Sequence, residues 1–291
     1  MCIVVKINFP IKEKCKMKNT LKKALAVGFA AALALSALTG CGNKTDNGDT
    51  KTLTVAASSA PHAEILEQCK PALEKEGITL DIKVMDDYII PNTSTESGDV
   101  DANYFQHTPY LDQFNEENGT HLVSVAKIHY EPYGIYTGTA KSFDELKEGD
   151  KIAVPNDATN EARALLLLEA NGLIKLKEGV GLTATKNDIV ENTKNFDIVE
   201  MEAALVPSQR DEVALAVING NYAIANGISI TEALATEDAK SEAAQTFANI
   251  VVVKEGNENN ELVKALVDVL KSDDIKNFIN EKYEGAVVPI D

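Results

Sequence analysis

The sequence predicts an α/β protein of two lobes, each built on a mixed, mostly parallel sheet flanked by helices. Three observations predict it. Strand-type and helix-type segments alternate from residue 52 onward, the order expected of a parallel sheet with crossover helices. A second strand–helix–strand run begins near residue 151. Strands and helices remain after residue 226, enough to complete the first sheet. About 250 residues follow Cys41, sufficient for two medium lobes.

Residues 1–40 lie ahead of this fold. Lys18, Lys22 and Lys23 precede an apolar run, residues 24–38, broken by Gly28 and Ser36. Leu38-Thr39-Gly40-Cys41 closes it. This is the layout of a secretory signal peptide with a lipobox-like end, cleaved before Cys41, whose sulfur takes the lipid. The run is shorter than the about 20 residues of a membrane span. The compact basic region starts at Met17, so residues 1–16 read as an extension ahead of the true start. Residues 41–51 lack apolar side chains and read as a flexible tether.

Residues 52–57 read as a strand, 58–62 as a turn, and 63–76 as a helix stopped by Gly77. Residues 78–84 alternate, as a strand does. A helix starts at 92–97, a short strand covers 101–105, and a helix covers 108–118 with Pro109 in its first turn. Residues 123–129 form a strand, and 131–136 run on extended because proline keeps the preceding residue out of the helical region. The second unit has a strand at 151–155, a helix at 160–171 ended by Gly172, and a strand at 197–201. Residues 213–218 are a buried helix segment or strand, and Asn219-Gly220 also suits a turn. A strand at 248–254 and amphipathic helices at 261–271 and 275–283 follow. The first lobe is therefore 52–135 with 227–291, and the second 136–226.

The net charge of the chain is −17. Residues 1–40 carry seven lysines against one glutamate, which leaves −23 beyond them. So acidic a body is no partner for nucleic acid, whose phosphates need Lys and Arg. With Cys41 committed to lipid, Cys69 is a single thiol that cannot form an internal disulfide. Motifs for a nucleophile with its base, for a metal or for a phosphate loop are absent, which argues against an enzyme, a metal and a cofactor.

Three stretches carry candidate chemistry. In residues 156–163, a strand passes into a helix whose first turn presents unpaired N–H groups, with Arg163 one turn in. This suits a small carboxylate. In residues 101–110, Phe105, His107 and Tyr110 are flat, semi-polar side chains at a strand end, and Tyr88 lies upstream. Such a surface suits a thioether or an aromatic ligand. In residues 218–223, Asn219 can both donate and accept, as the head of an α-amino acid requires. Each stretch also has a plain reading: a capped surface helix, core packing, or a turn.

In this order behind a lipobox, the stretches resemble the methionine-binding lipoproteins of ABC importers, the NlpA-type family, over about residues 52–291. Gly98-Asp99-Val100-Asp101-Ala102-Asn103-Tyr104-Phe105-Gln106-His107-Thr108-Pro109-Tyr110-Leu111 is the most specific part. Glu131-Pro132-Tyr133-Gly134-Ile135-Tyr136, residues 156–168, residues 216–223 and Gly285-Ala286-Val287 add to it. The resemblance implies a type II periplasmic-binding-protein-like fold. It further implies capture of methionine, L-methionine foremost, and delivery to a membrane-embedded ABC permease with its ATPase. By that analogy Arg163 clamps the ligand carboxylate from an open cleft. Asn160 and Asn219 bond its polar end, Asn219 being preferred to Asn221. Tyr88, Phe105, His107 and Tyr110 wall in the side chain. Ala158 stands where the family usually has Pro, which loosens the turn before Asn160. The alternatives are a receptor for another small amino acid or a methionine-containing dipeptide and, more distantly, a hydrolase of small acyl compounds.

Overall fold

The computed structural model describes residues 51–238 and 246–290. The signal peptide, Cys41 and the tether up to residue 50 lie outside the described residues, whereas Lys51 is the first residue of a strand. That strand, β1 (Lys51–Ala57), buries Leu53, Val55, Ala56 and Ala57 completely. Helix α1 (Glu64–Lys75) turns Ile65, Leu66, Cys69 and Leu73 inward, the spacing of one helical face. It carries the chain to β2 (Ile78–Val84), parallel to β1 in a register running from Lys51↔Ile78 to Ala57↔Val84. Next come α2 (Ile90–Ser97) and β3 (Ala102–His107), whose six residues are all buried, so it lies inside the sheet. Helix α3 (Thr108–Asn118) and β4 (Leu122–Tyr130) follow.

The chain crosses to the second lobe through Glu131, Pro132 and Tyr133. There it forms β5 (Gly134–Thr137), β6 (Lys151–Pro155), α4 (Ala158–Ala170), β7 (Lys175–Leu176), β8 (Ile189–Glu191) and β9 (Asp197–Met201). It continues through β10 (Leu215–Ile218), α5 (Gly220–Ala225) and β11 (Ala233–Thr236). The returning chain supplies β12 (Asn249–Lys254), α6 (Glu261–Leu270), α7 (Asp273–Tyr283) and β13 (Val288–Pro289).

The first sheet has the order β13-β4-β12-β3-β1-β2 and the second β11-β5-β10-β6-β9, with β7 and β8 forming a separate pair. Strand β12 is inserted antiparallel between β3 and β4, and β13 is antiparallel to β4, so the other four strands of the first sheet share a direction. In the second, only β5 opposes its neighbours. Each sheet has its own core. Leu53, Leu66, Tyr104 and Val251 belong to the first, and Ile152, Leu165, Leu168 and Val217 to the second.

The structure decides one open reading and changes two others. Residues 213–218 resolve in favour of a strand, β10, because Leu215–Ile218 pairs with β5 and β6 and is buried on both faces. Asn219-Gly220 starts α5 rather than a turn. The return to the first lobe comes after Thr236, not at residue 227, because β11 pairs antiparallel with β5 at the edge of the second sheet. Ala233–Thr236 is half-exposed and lacks alternation, so its pairing left no mark in the sequence.

Gly138, just past β5, packs directly on the chain entering β10. A Cβ there would lie 2.1 Å from the Val213 carbonyl oxygen and 2.5 Å from that of Arg210. Gly138→Ala is expected to lower the unfolding free energy by at least about 1–3 kcal/mol, the cost of overpacking. Urea titration followed by circular dichroism measures this, and an unshifted midpoint would contradict the close approach.

Candidate ligand-binding site

The N-terminal turns of α3, α4 and α5 bring three polar stretches to one place. His107 caps α3, its Nδ1 accepting from the Tyr110 N–H at 3.2 Å. Asp157 caps α4, its Oδ1 accepting from the Asn160 N–H at 3.0 Å and from Asn160 Nδ2 at 2.8 Å. The turn before Asn160, with Ala158 in it, is held by this Asp157 cap. Asn219 occupies the N-cap position of α5.

Between the lobes these residues close around a narrow cavity of about 20 Å³, room for little more than one water. Its wall contains all seven residues singled out from the sequence: Tyr88, Phe105, His107, Tyr110, Asn160, Arg163 and Asn219. Asn221 lines it as well, together with Gln106, Glu131, Gly220 and Asn249. Tyr88 packs against Phe105 and Tyr110 at ring distances of 5.8 and 5.5 Å, and His107 meets Tyr110 edge-on at 6.4 Å. Tyr222, which the sequence reading did not single out, stacks on Tyr88 from the second lobe at 5.0 Å. A more open depression of about 570 Å³ shares Tyr88 and Tyr110 with the cavity.

The amides of the wall are preassembled. Asn219 Nδ2 donates to Asn160 Oδ1 at 2.8 Å, and His107 Nε2 meets the same oxygen at 3.2 Å. Tyr88 donates from the first lobe to Asn221 Oδ1 at 2.7 Å. Burial, reinforced by the Arg163 charge, pushes the His107 pKa down to about 3, so its imidazole is neutral.

Arg163 differs from the expectation of an open clamp. It is 5 % exposed and already paired. Its Nε donates to Glu237 Oε1 at 2.8 Å and its Nη2 to Glu237 Oε2 at 2.5 Å and to the Glu131 carbonyl at 3.0 Å. Phe247 and Tyr133 face the guanidinium at 4.2 and 4.8 Å. Burial alone would raise the Glu237 carboxyl, but the Arg163 charge and the bonds from Arg163, Tyr130 and Tyr133 outweigh it and hold its pKa below the usual range. No local pattern predicts this pair, which spans 74 residues. Glu131 was also missed as a site residue, though it left a signal: a lone acid in the apolar run Ile128-His129-Tyr130-Glu131-Pro132-Tyr133. Its carboxyl is buried, and burial raises its pKa. It accepts from the backbone N–H of Asn221 and from His129 Nε2 at 2.8 Å.

Two α/β lobes, two crossing segments and a polar, aromatic-walled cavity between the lobes make up the fold of the bilobed solute-binding proteins. The chain belongs to the NlpA lipoprotein family, which matches residues 53–291. The D-methionine-binding lipoprotein MetQ of Salmonella typhimurium is 42 % identical over 276 residues, 94 % of this chain and 99 % of that protein. A solved structure from Ruminococcus gnavus is 61 % identical with a TM-score of 0.82, covering 83 % of this chain and 100 % of that one. A nutrient-binding protein from Burkholderia cenocepacia, solved bound to methionine, is 40 % identical with a TM-score of 0.77, covering 81 % and 99 %.

Removing one partner of a buried ion pair strands the other. Arg163→Ala is therefore expected to cost about 3–5 kcal/mol of ligand-free stability, with part of it restored by adding Glu237→Gln. Equal melting temperatures for wild type and Arg163→Ala would refute the pairing. A second expectation concerns acid. His62, His107 and His129 are buried and neutral, with pKa values pushed down to about 4, 3 and 3. Below the unfolded value of about 6.5 the unfolded chain binds more protons, so stability falls as pH falls, by up to about 1.4 kcal/mol per unit per histidine. Glu131, Asp157 and Glu161, all raised chiefly by burial, take up protons at higher pH in the fold than in the unfolded chain and offset part of this in acid. Urea midpoints at pH 7.5, 6.5 and 5.5 should decline, most steeply in the last step.

Proposed function

We propose that this chain is a lipid-anchored receptor that captures methionine at the cavity between its lobes and hands it to a membrane-embedded ABC permease with its ATPase. One observation carries the reading: the wall pairs one cation, Arg163, and one carboxylate, Glu131, with an aromatic surface. A zwitterionic head and a soft apolar tail match those two halves. The ligand carboxylate meets Arg163 through the guanidinium nitrogen not spent on Glu237, with Asn160 and Asn219 alongside. Its ammonium faces Glu131. Its thioether lies against Tyr88, Phe105, His107 and Tyr110, where sulfur contacts ring edges favourably. The names of the relatives support methionine as the solute and a lipid on Cys41 as the anchor, with the folded part on the extracytoplasmic side. The work asked of the site is capture.

A second reading, a methionine-containing dipeptide, is favoured by the outer depression that shares Tyr88 and Tyr110 with the cavity and has room for a further residue.

Calorimetry on the soluble part decides among these. Methionine, in both enantiomers, should bind tightest among the amino acids. Norleucine, which keeps the tail but loses sulfur contacts of about 0.3–1.5 kcal/mol, should bind up to about tenfold more weakly. Alanine, losing most of the buried tail, should lose about 2 kcal/mol or more. Alanine or a charged amino acid ranking above methionine would assign the protein another solute. For the anchor, Cys41→Ala should leave the fold intact and shift the protein from membranes to the soluble fraction, and retention on membranes after signal cleavage would oppose it.

A further inference from the structure

Behind the cavity, the first lobe buries two histidines that the proposed capture of an amino acid leaves without a role. Both are fully buried, and they are arranged alike. Tyr104 Oη is hydrogen-bonded to His129 Nδ1, and His129 Nε2 reaches Glu131 Oε1 at 2.8 Å. Ser58 Oγ lies 2.6 Å from His62 Nδ1, and His62 Nε2 reaches Asn249 Oδ1 at 2.9 Å and Glu131 Oε1 at 3.5 Å. Each imidazole is thus held at Nδ1 by a hydroxyl and turned with Nε2 toward a side chain of the cavity wall.

The proton arrangement that goes with a Glu131 anion has each hydroxyl as the donor. A tyrosine or serine hydroxyl that donates to Nδ1 leaves the ring proton on Nε2. His129 then donates to the Glu131 carboxylate and His62 to the Asn249 carbonyl, which leaves the Asn249 amide nitrogen to face elsewhere. Every group in the chain has a partner while both rings are neutral. A metal fits less well. Donors at about 2.0 Å from a tetrahedral zinc stand about 3.3 Å apart, whereas His129 and Glu131 are at hydrogen-bond distance.

What this does for Glu131 depends on where Glu131 lies. Burial favours its neutral form, and Arg163 touches its carbonyl, not its carboxylate. The ionised form is favoured by His62, by the Arg163 charge and by the Asn221 N–H from the second lobe. His129 makes the short side-chain contact to the carboxylate, 2.8 Å against 3.5 Å for His62. Both histidines belong to the first lobe, and His129 is the one at hydrogen-bond distance from the carboxylate. Resting on the amino-acid reading above, we propose that His129, oriented by Tyr104, is a positioning residue. It holds Glu131 as an aimed anion, so that the site selects ligands with a free α-ammonium group.

The test compares L-methionine with 4-(methylthio)butanoate, which keeps tail and carboxylate but lacks the amino group, and with N-acetylmethionine, by calorimetry on wild type and three variants. Wild type should prefer methionine strongly over both analogues. His129→Leu removes the donor and should weaken methionine about tenfold or more, the worth of a hydrogen bond to a charged group, while changing the desamino acid by less than about threefold. His129→Gln keeps an N–H near Nε2 and should recover most of the loss. Tyr104→Phe frees the tautomer without altering the ring stack and should show a smaller loss with the same selectivity. It also carries the test if His129→Leu does not fold. Equal losses for methionine and the desamino acid, or none for either, would overturn the proposal, as would stoichiometric zinc in the purified protein. Failure of wild type to bind any of the three ligands would instead overturn the amino-acid reading itself.

Discussion

The ion pair between Arg163 and Glu237 is the contact on which the rest of the site depends. Two segments cross between the lobes, one through residues 131–133 and one after Thr236. Glu237 lies on the second crossing, and its backbone N–H donates to the Tyr133 carbonyl at 2.9 Å. Its carboxylate takes the Tyr133 N–H at 3.0 Å and the Tyr130 hydroxyl at 2.5 Å. Arg163, from α4, bonds both carboxylate oxygens and the Glu131 carbonyl. One carboxylate and one guanidinium therefore tie both crossings to the helix that opens at the cavity. Desolvating two charges is costly, and Coulomb attraction offsets it only where the remaining bonding capacity is filled. Here most of it is filled, and Tyr130, Tyr133 and Phe247 close the aromatic sides.

With Arg163 so committed, recognition is shared among more groups than a lone arginine clamp would need. Asn160 and Asn219 are bonded to each other, and Asn160 is fixed by its own helix cap. Such interlocked amides keep few rotamers and lose little entropy when a ligand arrives. The aromatic half is similarly fixed. Tyr110 donates to the Tyr88 carbonyl at 2.9 Å, and Tyr88 in turn donates across to Asn221. The last bond joins side chains of opposite lobes, so the aromatic wall is complete only when the lobes are together.

The first lobe contributes more than support. Its sheet brings Tyr104 on β3 and His129 on β4 to either side of β12, and Asn249 opens that intervening strand. The inserted strand is why residues far apart in sequence, His62 and Asn249 among them, meet at 2.9 Å. Neutral buried histidines are stable partners near neutral pH and a liability in acid, so these groups weaken the fold as the pH falls.

By itself the sequence determined the segments and the residue types of the cavity. Alternation and helical periodicity located β1, α1, β2, α3, β6, α4 and β12, because those signals are local. The Phe105, His107 and Tyr110 cluster, with Tyr88 upstream of it, and the Arg163 helix start were legible for the same reason: each group of residue types is local in sequence. Only the tertiary structure decided which partners they keep. Pairing across 74 residues made Arg163 a buried strut rather than an open clamp. Edge pairing with β5, unmarked by any pattern, moved Ala233–Thr236 into the second lobe. Burial, a property of the assembled lobes, turned Glu131 from one acid among many into the carboxylate of the cavity wall, since desolvation and hydrogen-bond partners come from residues that sequence order keeps apart.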